Sequence, residues 1–195
     1  MIGFNLDIDQ TFYRHPKTDV AELEVVSSDV VRKRLAGVGA HEHAREQHYS
    51  SRFSHATYTR LARAAHAAIG HGSGVVVDAT CRARADRAPL LTTLTRAGAR
   101  PLFVRCTVPL ELALARAHAR MDDRDNVSDA TPAIVREQFR SFEDLAEVPA
   151  KQVLRLETSG RVSEQLADVA RAIDTRALHA NAAYAARPVG SGVGT

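Results

Sequence analysis

The stretch Val75-Val76-Val77-Asp78-Ala79-Thr80 decides the fold class. It opens with three β-branched residues, shows no polar alternation and follows the glycine-rich residues 70–74, a pattern typical of a short strand buried on both faces. Strands of that kind belong to parallel sheets that carry helices on either side. Because such sheets bind ligands at the carboxyl ends of their strands, the Asp78 carboxylate becomes a candidate functional group.

The rest of the chain alternates between strand and helix patterns. Further runs predict strands at residues 23–26, 101–106 and 152–157, and apolar residues at helical spacing predict helices at residues 54–69, 84–97, 110–121, 132–145 and 162–173. This order indicates crossover connections and a mainly parallel sheet covered on both faces. The segment from Ile2 to Ile8 alternates apolar and polar residues, which suits a half-exposed edge strand better than a doubly buried central one, although the segment could serve as an imperfect central strand.

Composition narrows the classes of protein to consider. The chain has 195 residues, of which 45% are hydrophobic, and its formal charge is only +3, with arginines interleaved among acidic residues. A nucleic-acid partner is therefore not expected. No apolar run has the roughly 20 residues of a membrane-spanning helix, so we expect no membrane association and a cytoplasmic location. Cys81 and Cys106 lack metal-site spacing and are expected to stay reduced in that compartment.

A carboxylate and a guanidinium follow the strand predicted at 23–26, in Ser27-Ser28-Asp29-Val30-Val31-Arg32. Asp29 could orient or deprotonate an acceptor hydroxyl, and Arg32, one turn later, could neutralise a phosphate or form a forked contact with a carboxylate. The alternative is a helix N-cap followed by a solvated arginine. Asp78 has two interpretations as well, since it could align Mg²⁺ or a water beside phosphates, or cap the next helix.

Three arginines recur at fourfold spacing, at Arg116, Arg120 and Arg124, and the first two share one helix face. Guanidinium groups aimed at a cleft suit phosphates, although a solvated arginine face paired with nearby aspartates fits the same pattern. The histidines at 41, 43 and 48 do not form a zinc-helix pattern, because the position four residues after His41 is Arg45. We therefore expect no side-chain metal cage there, but a mobile polar segment over the cleft.

Residues 27–37, 75–80 and 116–130 together resemble the P-loop kinase-like ATP-binding AAA domain at the carboxyl end of bifunctional aminoglycoside phosphotransferase/ATP-binding proteins. The resemblance covers about Val25 to Ile173. It extends to polynucleotide kinases, gluconate kinases and zeta-type toxins, which share an Asp-x-x-Arg after the second strand and an arginine-bearing lid. It implies a three-layer α/β sandwich that binds ATP and Mg²⁺.

The resemblance also implies roles for individual residues. Asp29 would be the acceptor-side base, Arg32 a substrate contact, and Asp78 the carboxylate at the end of the third strand and the metal ligand. Arg116, Arg120 and Arg124 would belong to a lid at about residues 116–131. Thr158 and Ser159 would lie near the adenine.

The sequence lacks one motif of the family pattern, the glycine-rich phosphate loop. Such domains begin with a strand and a glycine-rich loop ending in Gly-Lys-Ser or Gly-Lys-Thr, whereas only Lys17-Thr18 echoes that ending here. The residues before it are Tyr13-Arg14-His15-Pro16, where glycines would let backbone N–H groups converge on phosphate. We therefore predict an atypical segment at residues 1–24 with a degenerate or missing first strand, a kinase-like domain at 25–174, and a disordered tail at 175–195.

The sequence leaves three functions open. The first is ATP-dependent transfer of a phosphoryl group to a small hydroxyl acceptor, weakened or abolished by the missing loop, which supplies much of the phosphate stabilisation. The second is a non-catalytic binding module, whose missing parts a partner chain could supply. The third is a polynucleotide-kinase-like protein that binds nucleic-acid ends, which steep salt dependence would reveal.

Overall fold

The computed structural model describes residues 2–3, 24–39, 42, 44–70, 75–99, 101–121 and 129–185. The chain divides into two compact units after Ser159. The predicted boundaries at residues 24 and 174 stay predictions. Among the described residues, no helix combines the length and apolar character that crossing a bilayer requires.

The first unit contains a five-stranded parallel sheet among the described residues, in the order β2-β3-β1-β4-β5. The strands are β1 (Ile2–Gly3), β2 (Glu24–Ser27), β3 (Val75–Asp78), β4 (Phe103–Thr107) and β5 (Val153–Glu157). The predicted α/β class with a parallel sheet is confirmed.

The edge position that the pattern favours for the first strand is wrong, and the alternative of a central strand is confirmed. Ile2 pairs with Val77 on one side and with Phe103 on the other, so β1 lies at the centre of the sheet. The pairing with both β3 and β4, and not the polar alternation of the segment, decides the position of β1 in the sheet.

Six helices lie among the described residues: α1 (Ser28–Ala36), α2 (Ser51–Gly70), α3 (Arg84–Arg96), α4 (Leu110–Met121), α5 (Pro132–Ser141) and α6 (Val162–Ala185). Short 3₁₀ turns occur at Glu46–Tyr49 and Ala150–Gln152. Helix α1 ends at Gly37, whose positive φ of 68° suits glycine and lets its N–H bond back to the Arg34 carbonyl. Helix α5 begins with Thr131 as its cap and Pro132 in its first turn.

Helix α6 forms most of the described part of the second unit and departs from the predicted tail. It continues to Ala185, although disorder was expected from residue 175. Alanine is the strongest helix former, and residues 176–185 contain five alanines in the sequence RALHANAAYA. Local propensity therefore extends the helix where the sequence offers little apolar surface to bury.

The core of the first unit packs helices against one face of the sheet. Tyr58 and Leu61 of α2 and Leu90 of α3 belong to the same buried cluster as Val77 and Phe103 from the central strands. A smaller cluster joins the residue after β4 to α4 and α5, and consists of Val108, Ala113, Leu114, Ala117 and Val135. The two clusters fix α2 and α4 close to strands whose carboxyl ends carry polar residues.

Arg87 is a fully buried cation that ties two loops together. Its guanidinium donates to the Cys81 and Arg82 carbonyls after β3 and to the Glu143 and Asp144 carbonyls after α5. It also pairs with the Glu147 carboxylate. These contacts explain why α5 ends at Ser141 and not at the predicted 145, because the following backbone is held outside a helical path.

We expect Arg87→Lys to destabilise the first unit by about 3 kcal/mol or more, since an ammonium cannot replace a planar group with five donors in a buried site. Urea unfolding followed by circular dichroism measures the loss. The matched control is Asp144→Asn, which breaks the exposed Arg105–Asp144 pair and should cost less than about 1 kcal/mol. Equal losses in both variants would contradict a special role for Arg87.

Candidate functional site

The order of the strands places a topological switch point, where open parallel sheets form their ligand-binding crevice, at the carboxyl end of β1. The chain builds β2 and β3 on one side of β1 and then crosses to build β4 and β5 on the other side. In open parallel sheets, ligands bind outside the strand ends at such a switch point. The residues that end β1, β3 and β4 are therefore the first candidates for a functional site.

Strand register gives this edge of the sheet a stepped shape. Gly3 and Ser27 are both in register with Asp78, so the described part of β1 reaches the level at which β2 and β3 end. Strand β4 continues to Thr107, whereas the partner of Ile2 on β4 is Phe103. At about 3.3 Å per residue, β4 and β5 reach roughly 10 Å beyond Asp78 and form a wall beside the shorter strands.

The Asp78 carboxylate is the most perturbed acid at this edge. Its pKa is raised to about 6, first by burial and then by the nearby Asp29 carboxylate, while a hydrogen bond from the Ser27 hydroxyl acts in the opposite direction. Ionising a desolvated carboxylate near neutral pH costs folding free energy. Strongly perturbed acids of this kind concentrate at functional sites.

The turn after Asp78 is clamped from two sides. Cys81 has a positive φ of 46°, a conformation that non-glycine residues rarely adopt. The buried Tyr58 hydroxyl accepts the Cys81 N–H at 3.0 Å and lies 3.1 Å from the Thr80 hydroxyl, while Arg87 holds the Cys81 carbonyl at 2.9 Å. These contacts hold a strained turn directly beside the Asp78 carboxylate.

Asp29 and Arg32 lie on the first turns of α1, which starts immediately after β2. Arg32 is buried, its Nη1 donates to the His48 carbonyl at 2.6 Å, and it has a longer contact of 3.4 Å with the Ser54 hydroxyl. Its guanidinium also lies 4.7 Å from the centre of the Tyr49 ring. Arg32 Nε is buried and has no hydrogen-bond partner within the described part of the chain.

A second network beside Arg32 was not anticipated from the sequence. Asp129 accepts the Tyr49 hydroxyl at 2.6 Å and the Ala44 N–H at 3.1 Å, and its other oxygen lies 3.4 Å from Lys33 Nζ. The Lys33 and Asp129 side chains are only 3% and 8% exposed. Burial and Asp129 both raise the pKa of Tyr49.

Local sequence carried no signal for this network, since the Tyr49 and Asp129 partners lie 80 residues apart. Asp129 sits just before Thr131, the cap of α5, where an acidic residue is unremarkable. Lys33 follows Arg32 in a run of basic residues that suggested only solvated charge.

The wall formed by β4 and β5 carries the other predicted residues. Arg116, on α4, donates from Nη2 to the Thr158 carbonyl at 2.9 Å. The Thr158 hydroxyl and N–H in turn bond to the Thr107 carbonyl, at 3.1 and 2.8 Å. Hydrogen bonds from the Ser159 hydroxyl and N–H hold the pKa of Glu157 below its usual value. Arg120 lies one turn after Arg116 and is partly buried.

The predicted residues thus fall into two groups on either side of β1. Asp29, Arg32 and Asp78 lie together at the ends of β2 and β3, and Arg116 lies with Thr158 and Ser159 at the ends of β4 and β5. Arg124 falls outside the described residues, as do His41 and His43. His48 is buried beside Phe53, at a ring separation of 5.0 Å, which differs from the expected mobile polar segment.

A family model described as an AAA domain matches residues 10–145. The chain belongs to this family. The matched range includes β2, β3 and β4 with the Asp29, Arg32 and Asp78 group, so the predicted AAA-type domain is confirmed. The finer resemblance to the bifunctional aminoglycoside proteins stays a prediction. No curated protein matches the chain by sequence.

Solved structures of kinases share the fold. A sugar kinase from Janibacter sp. is similar over 89% of this chain and 91% of its own, with 16% identity and a TM-score of 0.57. APS kinase of Mycobacterium tuberculosis, in complex with AMPPNP and APS, is similar over 78% of this chain and 80% of its own, with 20% identity and a TM-score of 0.54. At such identities the likeness concerns the fold alone, which is P-loop kinase-like.

The donor set at the crevice fits Mg²⁺ better than a transition metal. Within the described residues, no group of three or more His, Cys, Asp or Glu could hold a metal ion. Mg²⁺ in kinase-type sites needs only one or two carboxylates and completes its shell with phosphate oxygens and water. Asp78 supplies such a carboxylate next to the end of β1.

Asp78 should make the folded chain less stable as the pH rises. Its pKa rises from an ordinary 3.8 to about 6 on folding. Between these values the folded state binds more protons than the unfolded state, so stability falls with increasing pH. A rise of this size corresponds to about 3 kcal/mol, and relaxation around the site makes about 1–3 kcal/mol the expected loss between pH 4 and 7.

Unfolding by urea at a series of pH values measures this effect. In Asp78→Asn the part of the pH dependence that comes from Asp78 should vanish, and the variant should be more stable than the parent at pH 7. Asp144→Asn, which neutralises an exposed carboxylate, should follow the parent curve. Parallel curves for Asp78→Asn and the parent would show that Asp78 titrates normally.

Proposed function

We propose that the protein binds Mg·ATP and transfers the γ-phosphoryl group to a small acceptor that carries a hydroxyl group. The observation that carries this proposal is the register of Gly3, Ser27 and Asp78, which brings an acidic strand end beside the end of the central strand. That is where a parallel sheet of this family can receive phosphates. Family membership supports the same assignment.

Asp29 is the acceptor-side base in this proposal. It lies at the start of α1, and it is close enough to the Asp78 carboxylate and the Tyr49 hydroxyl to influence the pKa of each. A carboxylate in hydrogen-bond reach of an acceptor hydroxyl can orient that hydroxyl and take its proton. Arg32 holds the segment that faces Asp29, since it bonds to the His48 carbonyl and stacks on Tyr49.

The wall of β4 and β5 is the nucleotide side in this proposal. The Arg116 contact with the Thr158 carbonyl joins α4 to the end of β5. Arg116 and Arg120 supply guanidinium groups for the phosphates, and Thr158 and Ser159 supply backbone polar groups for the base. Mg²⁺, when bound with ATP, would neutralise phosphate charge, and Asp78 is the residue that would hold it.

The absence of a Gly-Lys-Ser or Gly-Lys-Thr sequence is expected to lower the rate of phosphoryl transfer more than it disturbs the fold. A converging set of amides and a lysine stabilises the β- and γ-phosphates in related reactions. Removing a single donor of that kind costs on the order of 10²-fold in rate. We therefore expect slow turnover and an affinity for Mg·ATP weaker than in kinases that carry the loop.

Calorimetric titration with Mg·ATP tests the nucleotide site. We expect Asp78→Asn and Arg116→Gln each to weaken binding about tenfold, because each removes a charge-assisted contact. The matched control is Arg63→Gln, which removes an exposed arginine on α2 and should bind like the parent. Absence of binding in the parent would contradict the proposal and favour the non-catalytic binding module.

Asp29 is tested by ADP formation in the presence of a panel of small hydroxyl compounds. Asp29→Asn should lower the acceptor-dependent rate by about 10²-fold, as expected for loss of a general base, and leave the affinity for Mg·ATP close to that of the parent. A variant that loses Mg·ATP binding and rate together would assign Asp29 to the nucleotide side instead.

A further inference from the structure

We infer that the Thr80 hydroxyl donates a hydrogen bond to an oxygen of the terminal phosphoryl group of ATP, and that the buried Tyr58 hydroxyl fixes Thr80 as a donor. The inference rests on the proposed function and adds a ligand contact to the same site. The hydrogen bonds of the turn after Asp78 dictate the polarity of this contact.

Thr80 lies at the carboxyl end of β3, two residues after Asp78, the residue that is level with Gly3. This is the edge of the sheet that the proposed function assigns to the phosphates. Thr80 is only partly buried, whereas Tyr58 beside it is 2% exposed. Thr80 is therefore the member of this pair that a ligand can contact.

The Tyr58 hydroxyl has two hydrogen-bond partners among the described residues. It accepts the Cys81 N–H at 3.0 Å, and its oxygen lies 3.1 Å from the Thr80 hydroxyl oxygen. Burial raises the pKa of Tyr58, so its single proton stays on the oxygen. Because the Cys81 N–H is itself a donor, the Thr80 oxygen is left to accept that proton. Tyr58 therefore donates to Thr80.

The proton of the Thr80 hydroxyl must then be donated to a different acceptor. Across the described ranges of the chain, Thr80 has no hydrogen bond from its hydroxyl other than the one with Tyr58. Ionised phosphoryl oxygens only accept hydrogen bonds, so a hydroxyl held as a donor matches them. An acceptor hydroxyl can use either polarity and does not require a fixed donor.

The order of the strands selects the terminal phosphoryl group. In the proposed function the base lies near Thr158 and Ser159, at the end of β5, and the base catalyst Asp29 follows β2. Strand β3 is next to β2 at the opposite side of the sheet from β5. The phosphate chain therefore runs across the strand ends towards Asp29, and its last group comes nearest to β3.

The turn holds Thr80 in place before a ligand arrives. Cys81 has a positive φ of 46°, its N–H is bound by Tyr58, and its carbonyl accepts Arg87 Nη1 at 2.9 Å. A donor that is positioned in advance stabilises charge on a phosphoryl oxygen without reorganising during the reaction. The strained turn thus gains a function as the support of Thr80.

Calorimetric titration of the full chain compares Mg·AMPPNP, which has a terminal phosphoryl group, with Mg·ADP, which lacks it. We expect Thr80→Val to weaken Mg·AMPPNP binding about tenfold or more and to leave Mg·ADP binding as in the parent, because one hydrogen bond to a charged oxygen is lost. Thr80→Ser keeps the hydroxyl and should bind both nucleotides like the parent. The matched control Thr92→Val, which removes an exposed hydroxyl from α3, should do the same.

Unchanged Mg·AMPPNP binding in Thr80→Val, an equal loss for Mg·ADP, or a loss in Thr80→Ser as large as in Thr80→Val overturns the inference. Each of these results leaves the proposed function intact, since the parent still binds nucleotide. A parent that binds neither nucleotide contradicts the proposed function, and the inference with it.

A double-mutant cycle tests the role of Tyr58. Tyr58→Phe removes the proton donated to Thr80 and should weaken Mg·AMPPNP binding about threefold or more. In the Thr80→Val background the same change should have no further effect, because no hydroxyl is left to orient. Equal losses in both backgrounds would show that Tyr58 serves the fold alone and would overturn its role. If circular dichroism shows that Tyr58→Phe does not fold, Thr80→Val and Thr80→Ser decide the inference.

Discussion

The pairing of two residues, Ile2 and Gly3, with β3 on one side and β4 on the other is the constraint on which the site depends. This short strand completes the sheet between two halves that would otherwise expose facing edges. Its register sets Gly3 level with Asp78 and leaves β4 projecting beyond them. The crevice is therefore a consequence of backbone hydrogen bonding, and side chains supply its chemistry only after that geometry is in place.

The groups whose burial or backbone conformation costs folding free energy lie close to the carboxyl end of β1, at the crevice. Asp78 lies in surroundings that disfavour its charged form, and the turn that follows it includes Cys81 in a rarely adopted conformation. Both features oppose folding, and the structure offsets them with fully bonded groups nearby: the Tyr58 hydroxyl and the Arg87 guanidinium. Groups that cost folding free energy and are held in place by rigid surroundings concentrate at sites of binding or chemistry.

The sequence predicted those parts of the structure that depend on short-range patterns. The β-branched run before Asp78 and the helix stop at Gly98 belong to this class, because the relevant interactions lie within a few residues. The central position of β1 was only the less favoured alternative, since it depends on pairing with residues about 75 and 100 positions away. The Lys33–Asp129–Tyr49 network was missed for the same reason, and its members look like surface charges when read singly.

The burial of Lys33 with Asp129 calls for an explanation other than stability. Desolvating two charges costs about as much as their attraction returns, and a well-packed apolar pair is often as stable. An apolar pair could not accept hydrogen bonds from the Tyr49 hydroxyl and the Ala44 N–H. These two bonds keep Tyr49 against the Arg32 guanidinium. The pair therefore fixes the conformation of the segment that places the Tyr49 ring against the Arg32 guanidinium.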